Sequence, residues 1–129
     1  MFELKVVTRF AAAHRLKMVA KQCENLHGHN WKIEVYLAGE QLNAAGVLID
    51  FDLAKKQIRE IMQSLDHSFL NELEWFGDNN PPSSENIAKH IATRLQSVFS
   101  DPAIRISRVT AWESDDAWES DDACATFIP

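Results

Sequence analysis

The clearest alternation of apolar and polar residues runs over residues 29–39. Successive side chains of a strand point to opposite faces, so this alternation predicts a strand with one buried face. The residues predicted on that face are Trp31, Ile33, Val35 and Leu37. Residues 2–13 alternate more weakly but are rich in Val, Thr and Phe, which predicts a first strand that ends near His14.

Two segments in the middle of the chain carry apolar residues at helical spacing. The first begins at Asp52, a residue type that caps helices, and extends to about Leu65. The second begins at Ser83 or Ser84 and ends before Asp101. Spacing of three and four residues is most simply that of a core-facing stripe. The stripe residues are Leu53, Ile58, Ile61, Met62 and Leu65 in the first helix, and Ile87, Ile91, Leu95 and Val98 in the second.

Two short apolar stretches near the C-terminus, residues 104–112 and 124–128, are predicted to be strands. Residues 66–83 are predicted to be irregular because they contain the run Asn-Asn-Pro-Pro. The predicted element order is β-β-α-α-β-β, an α+β fold in a single domain of residues 1–129. Between the last two strands, residues 111–116 recur at once as residues 117–122, which indicates a tandem duplication in a turn.

The charge balance and the cysteine content argue against several classes of protein. The net charge is -6, whereas nucleic-acid-binding proteins usually carry a basic excess. No apolar run approaches the ~20 residues of a membrane helix, and the first residues lack a secretory signal pattern. From the charge and the apolar pattern we expect no nucleic-acid or membrane partners. Because the chain has only two cysteines, Cys23 and Cys124, we expect reduced thiols and a cytoplasmic protein.

The strongest candidate chemistry lies in residues 23–29, which read Cys-Glu-Asn-Leu-His-Gly-His. In an extended chain, His27 and His29 share a face and can bind one metal ion. With His14 at the end of the neighbouring strand, three imidazoles and one open position match a catalytic zinc site. Cys23 is then a general base or nucleophile beside the metal. The alternative is that Cys23 closes a four-ligand structural site.

Other polar residues are weaker candidates. Asp66 and His67 follow the first helix, and a carboxylate beside an imidazole can orient it and raise its basicity. Neighbours in sequence need not touch, so the dipeptide by itself favours a solvated surface pair. Glu113 and Glu119 each follow a Trp, and a carboxylate near apolar side chains can accept one bond from an amino group and one from a ring N–H of the same ligand. The alternative is that both are solvated acids of an acidic turn. His90 is interpreted as structural or exposed.

Cys124 lies in an apolar final strand, which favours a small buried side chain without a chemical role.

Five motifs in this chain occur in the order found in one family. They are Phe-Ala-Ala-Ala-His-Arg-Leu at residues 10–16, Cys-x3-His-Gly-His at 23–29, Leu-Asp-His at 65–67, Pro-Ser-Ser-Glu-Asn at 82–86, and a late Trp-Glu. Together they resemble the 6-pyruvoyltetrahydropterin synthase / 6-carboxytetrahydropterin synthase family over nearly the whole chain. The chain departs from the family pattern by carrying Pro81 instead of the usual Asn and Ser83 instead of Thr.

The resemblance implies the tunnelling fold (T-fold), a four-stranded antiparallel sheet with two helices on one face. It also implies rings of subunits, typically hexamers built from two trimers, with active sites between subunits. It assigns zinc to His14, His27 and His29, catalysis to Cys23, and proton transfer to Asp66 and His67. A late glutamate binds the pterin ring, and we favour Glu113 over Glu119 because a strand leads into Glu113 as in the family.

The family substrate is 7,8-dihydroneopterin triphosphate. The expected reaction is its zinc-dependent conversion to 6-carboxy-5,6,7,8-tetrahydropterin with release of acetaldehyde and triphosphate, in 7-deazaguanine (queuosine) biosynthesis. The alternatives are a 6-pyruvoyltetrahydropterin synthase of the tetrahydrobiopterin pathway and a non-catalytic zinc or pterin-binding module. Some family members have a glutamate in the cysteine motif and cleave the side chain to 6-hydroxymethyldihydropterin, but we interpret Glu24 as a plain exposed acid.

Overall fold

Two long strands, β1 (Phe2–His14) and β2 (His27–Gly39), form the centre of the sheet. They pair antiparallel along their whole length, from Phe2 opposite Gly39 to His14 opposite His27. The computed structural model describes residues 1–17, 27–114 and 123–129, with His27 and Ser114 described by their backbone alone. Both strands agree with the elements that the alternation predicts, although β2 begins at His27 rather than His29.

The remaining elements flank this pair of strands. They are α1 (Phe51–Leu65), β3 (Ser68–Phe69), a 3-10 turn (Leu70–Glu72), α2 (Ser84–Val98), β4 (Arg105–Ser114) and β5 (Cys124–Phe127). The sheet order is β3-β1-β2-β4-β5, and every neighbouring pair is antiparallel except β1 with β3. The α+β class with two helices is therefore confirmed.

The predicted four-stranded antiparallel sheet, with the order β-β-α-α-β-β, is wrong because β3 adds a fifth strand between the helices. After α1, the Asp66 carboxylate accepts a bond from the Ala11 N–H (2.8 Å), and the His67 N–H donates to the Ala11 carbonyl (2.6 Å). These bonds bring the next two residues parallel to β1, where Ser68 lies opposite Ala12. A two-residue strand leaves no periodic pattern in a sequence.

Both helices share one hydrophobic core with the inner face of the sheet. The four predicted β2 residues, Trp31, Ile33, Val35 and Leu37, are completely buried, which confirms the predicted face. Leu53 and Val98 are exposed, so their predicted place in the core is wrong. Each lies near one end of its helix, and Ala54 takes the core position in the first turn of α1. The buried helix residues are Ala54, Ile58, Ile61, Met62 and Leu65 of α1, and Ile87, Ala88, Ile91, Ala92 and Leu95 of α2.

Side-chain caps begin both helices. Asp50, not the predicted Asp52, caps α1 because its carboxylate accepts a bond from the Leu53 N–H at 3.0 Å. Ser83 caps α2, since its hydroxyl accepts from the Asn86 N–H at 3.2 Å. This second cap is one of the two predicted, and it places the residues before α2 close to the end of β1.

Short β5 forms one edge of the sheet. Cys124 in this strand is exposed, so the prediction of a buried thiol is wrong; only alternate residues of β5 are partly covered. Within the described parts of the chain, neither helix has the length and apolar content needed to cross a membrane.

Candidate active site

Strand register places three polar side chains at one end of the inner face of the sheet. His29 pairs with Ala12 of β1, and Trp31 pairs with Glu113 of β4. Directly paired residues share a face, and residues two apart in one strand share it as well. His14, His29 and Glu113 therefore meet at one end of the buried face, on three adjacent strands.

The three side chains converge on one carboxylate oxygen. Oε1 of Glu113 lies 2.6 Å from Nε2 of His29 and 3.7 Å from Nε2 of His14. The two imidazole rings are 5.0 Å apart and nearly perpendicular. The His14 and His29 side chains are 1% and 3% exposed, whereas Glu113 is 35% exposed. The cluster is thus buried at its histidines and open to solvent at its carboxylate.

This cluster can hold a metal ion. One potential ligand atom from each of His14, His29 and Glu113 lies within 4.8 Å of the others. Imidazole nitrogens and carboxylate oxygens are the ligands of catalytic zinc sites. His27 lies opposite His14 in the β1–β2 ladder, so its backbone is at the same end of the sheet. The structure brings together two of the three predicted metal ligands and describes the third by its backbone only.

The protein orients His14 through the residues before α2. Nδ1 of His14 is 2.8 Å from the Pro82 carbonyl oxygen. A carbonyl can only accept, so Nδ1 carries a proton and Nε2 is the nitrogen that faces the cluster. Trp31 packs against both imidazoles, with ring centroids 5.1 Å from His14 and 5.5 Å from His29.

Glu113 links the cluster to a neighbouring cavity. Burial by itself raises the pKa of Glu113, but hydrogen bonds from His14 and His29 and the charge of these rings outweigh it and hold the pKa well below its usual range. The second carboxylate oxygen accepts a bond from the Ser84 hydroxyl at 3.3 Å. A cavity of about 290 Å³ borders this side; it is lined by Ser84, Glu85, Glu113, Ala123, Cys124 and Ala125.

Asp66 and His67 lie at the edge of β1, and the cluster of His14, His29 and Glu113 includes neither of them. Their side chains are 3.4 Å apart, and Asp66 is also held by the Ala11 N–H. The His67 side chain is 85% exposed. Its backbone has a φ of 53°, the left-handed conformation that non-glycine residues adopt at a cost and that often marks a functional position. Predicted Cys23, Glu24 and Glu119 lie outside the described residues.

Sequence reasoning missed two contacts of the site. It gave no role to the Pro82 carbonyl or to the Ser84 hydroxyl, which touch His14 and Glu113. The Pro-Ser-Ser-Glu-Asn motif was the available signal, but nothing in its spacing shows which strand end it approaches. His90, the remaining histidine, packs against the rings of Trp75 and Phe76 at 4.8 and 5.3 Å, as a structural residue does.

Comparison with known proteins agrees with this fold. The family profile described as 6-pyruvoyl tetrahydropterin synthase matches residues 3–123. The chain belongs to this family. It is therefore an enzyme of the tetrahydropterin synthase type, a lyase-type class, and the family suspected from the five sequence motifs is confirmed.

Relatives of this pterin synthase family member carry different names. A protein of Archaeoglobus fulgidus, provisionally named 6-carboxy-5,6,7,8-tetrahydropterin synthase, is 33% identical over 86% of this chain and 87% of its own length. The dihydroneopterin monophosphate aldolase of Pyrococcus furiosus is 34% identical over 83% of this chain and 85% of its own. The solved 6-pyruvoyl tetrahydropterin synthase of Caenorhabditis elegans superposes with a TM-score of 0.81 at 27% identity, covering 99% and 95% of the two chains.

Proposed function

We propose that this chain is a 6-carboxytetrahydropterin synthase. It converts 7,8-dihydroneopterin triphosphate to 6-carboxy-5,6,7,8-tetrahydropterin, releases acetaldehyde and triphosphate, and serves 7-deazaguanine (queuosine) biosynthesis. The observation that carries the proposal is the convergence of His14, His29 and Glu113 at one buried end of the sheet. A site of this kind, open on its carboxylate side, suits a metal-assisted reaction on a small polar ring substrate.

Zinc is the proposed metal, and His14, His27 and His29 are its proposed ligands. Neutral imidazoles suit zinc, and the Nδ1–H of His14 is already used by the Pro82 carbonyl, which leaves Nε2 for the ion. When bound, zinc supplies Lewis acidity toward the side-chain oxygens of the substrate. The burial of His14 and His29 keeps water away from this part of the site.

Glu113 is the proposed anchor for the pterin ring. Its ionised carboxylate can accept two parallel hydrogen bonds, one from a ring N–H and one from the amino group. The position supports this role, because one oxygen faces the histidines while the other faces Ser84 and the cavity beside it. Glu119, in the second copy of the duplicated segment, is the alternative anchor.

Proton transfer is assigned to Cys23, Asp66 and His67. We propose that the Cys23 thiolate removes a proton from a hydroxyl-bearing carbon and that His67, oriented by Asp66, returns one. The 3.4 Å contact between Asp66 and His67 supports this pairing. The high exposure of His67 also suits a residue that serves the site of a neighbouring subunit.

The proposed assembly is a hexamer built as a dimer of trimers, with active sites between subunits. Support comes from the sheet edges: among the described residues, β3 pairs only with Ala12 and Ala13 of β1, and β5 forms the other edge. Sheet edges of this kind can pair between copies of a chain. We expect a cytoplasmic enzyme without nucleic-acid or membrane partners, in keeping with the acidic net charge of -6.

The test pairs zinc content with turnover of 7,8-dihydroneopterin triphosphate, for the wild type and for Cys23→Ala. We expect about one zinc per chain in both proteins, turnover by the wild type alone, and acetaldehyde with a 6-carboxypterin as products. Loss of zinc from Cys23→Ala would make Cys23 a ligand and the domain a zinc-binding module. Absence of turnover by the wild type would refute the proposed reaction.

Two neighbouring reactions are distinguished by the same assay. The Caenorhabditis elegans structure is a 6-pyruvoyl tetrahydropterin synthase, so a pyruvoyl side chain without acetaldehyde would assign that activity instead. The Pyrococcus furiosus relative is named an aldolase, so a 6-hydroxymethyl product would assign side-chain cleavage. Mass spectrometry separates the three products.

A further inference from the structure

The turn that precedes α2 is held by a hydrogen-bond system that the proposed mechanism does not use. Pro81 and Pro82 lack an N–H, so this turn can be held only through its carbonyls and the residues that follow. The Pro81 carbonyl accepts two bonds of 2.8 Å, one from the Ser83 N–H and one from the side-chain amide of Asn86. A three-residue turn centred on Pro82 is the result.

One peptide unit connects this turn to the metal-binding cluster. The Ser83 N–H and the Pro82 C=O belong to the same planar group, so fixing one fixes the other. The N–H points to the Pro81 carbonyl, and the C=O accepts the bond from Nδ1 of His14. The direction of the Pro82 carbonyl, and with it the orientation of the His14 ring, therefore depends on how firmly the Pro81 carbonyl is held.

We propose that Asn86 is a positioning residue for the metal site. Its side-chain amide holds the Pro81 carbonyl and so keeps the Pro82 carbonyl aimed at Nδ1 of His14, which keeps Nε2 directed at the cluster. The inference rests on the proposed role of His14 as a metal ligand. Removing a residue that orients a metal-ligating histidine commonly weakens metal binding by about 10–100-fold.

The chain offers a matched control for this role. Asn80 also donates its side-chain amide to a carbonyl five residues earlier, that of Trp75, at 2.9 Å. Asn86→Asp and Asn80→Asp each replace the donor by a carboxylate of the same shape. Neither change touches the Asn86 backbone N–H that bonds to the cap hydroxyl of Ser83. Asn86→Ala removes the donor without adding charge and replaces Asn86→Asp if that variant does not fold.

The experiment measures zinc affinity by competition with a chromophoric chelator, together with urea unfolding of each metal-free protein. We expect Asn86→Asp to weaken zinc binding by about 10–100-fold and Asn80→Asp to stay within about twofold of the wild type. Equal affinities for the two variants would overturn the inference, whatever their stabilities. Failure of the wild type to bind zinc would instead refute the proposed function.

A spectroscopic measurement tests the inference without any substitution. Nitrogen-15 NMR of the imidazole rings, on metal-free wild type at a pH where histidines are neutral, reports the tautomer of His14. We expect the proton on Nδ1 in the wild type and a mixture of tautomers in Asn86→Asp or Asn86→Ala. A His14 that carries its proton on Nε2 in the wild type would overturn the inference.

Discussion

At the scale of single residues, the site depends on which atom of each side chain faces inward. His14 donates through Nδ1 to a carbonyl and turns Nε2 to the cluster, while Glu113 directs one oxygen to the histidines and the other to Ser84. Hydrogen bonds to the Pro82 carbonyl and the Ser84 hydroxyl set these orientations. A list of histidines and acids in the sequence contains none of this information.

The duplicated segment contains two candidate anchors for the pterin ring, Glu113 and Glu119, so a substitution of one serves as the control for the other. We predict that Glu113→Gln lowers kcat/KM for 7,8-dihydroneopterin triphosphate by about 100-fold, since an amide cannot accept both hydrogen bonds of the pterin edge. Glu119→Gln should change it less than about twofold. Both proteins should keep their zinc. Loss of zinc from Glu113→Gln would show that Glu113 is a metal ligand. A loss of activity confined to Glu119→Gln would assign pterin binding to Glu119.

At the scale of elements, strand pairing and helix caps decide where the site residues lie. The β1–β2 ladder places His27 opposite His14, and the β2–β4 ladder places Glu113 beside Trp31. The start of α2 at Ser84 brings Pro82 to His14 and the Ser84 hydroxyl to Glu113. A shift of one residue in either ladder would turn these side chains to the opposite face of the sheet.

The start of α1 gives a simple test at this scale. Asp50 accepts a bond from the Leu53 N–H, whereas Asp52 lies inside the first helical turn. We predict that Asp50→Ala lowers the free energy of unfolding by about 1 kcal/mol, the usual cost of losing an N-cap. Asp52→Ala should cost only about 0.3–0.5 kcal/mol, through the helix dipole. Urea unfolding of both variants measures the two costs, and an equal or reversed order would contradict the assignment.

At the scale of the whole molecule, stability is expected to depend on the protonation of His90. Burial, reinforced by the charge of Arg94, lowers the pKa of His90 to about 4. Nε2 of His90 has no hydrogen-bond partner within the described portion of the chain, and the ring packs against Trp75 and Phe76. Below about pH 6.5 the unfolded chain takes up a proton that the folded chain resists, so stability falls progressively as the pH drops toward 4.

His90→Phe keeps an aromatic ring at this position but cannot titrate. We predict that metal-free wild type loses roughly 1–2 kcal/mol more unfolding free energy than His90→Phe between about pH 7 and pH 4.5, allowing for the partial exposure of His90. Chemical unfolding at several pH values gives the difference directly. Parallel pH profiles for the two proteins would show that His90 does not sense pH in the folded state.

The long strands, the two helices and the family can all be predicted from the amino-acid sequence. These predictions follow from properties that can be read along the chain. They are the alternation over residues 29–39, the apolar stripes at helical spacing, and five motifs in the order found in the family. The sequence also predicted site roles for His14, His29 and Glu113, which the structure brings into one cluster. Short-range patterns carry such information because a strand or a helix repeats the same environment every few residues.

How these elements pack against one another becomes visible in the folded chain alone. The strand β3 exists because Asp66 and His67 bond to Ala11, 55 residues or more away along the chain. Cys124 is exposed because it pairs with Trp112, whereas its neighbour Ala125 pairs with the buried Ala111 and so takes the other face of the sheet. The meeting of His14 with Pro82 joins residues 68 positions apart. Contacts of this kind arise from packing and register between distant segments, which no local pattern records.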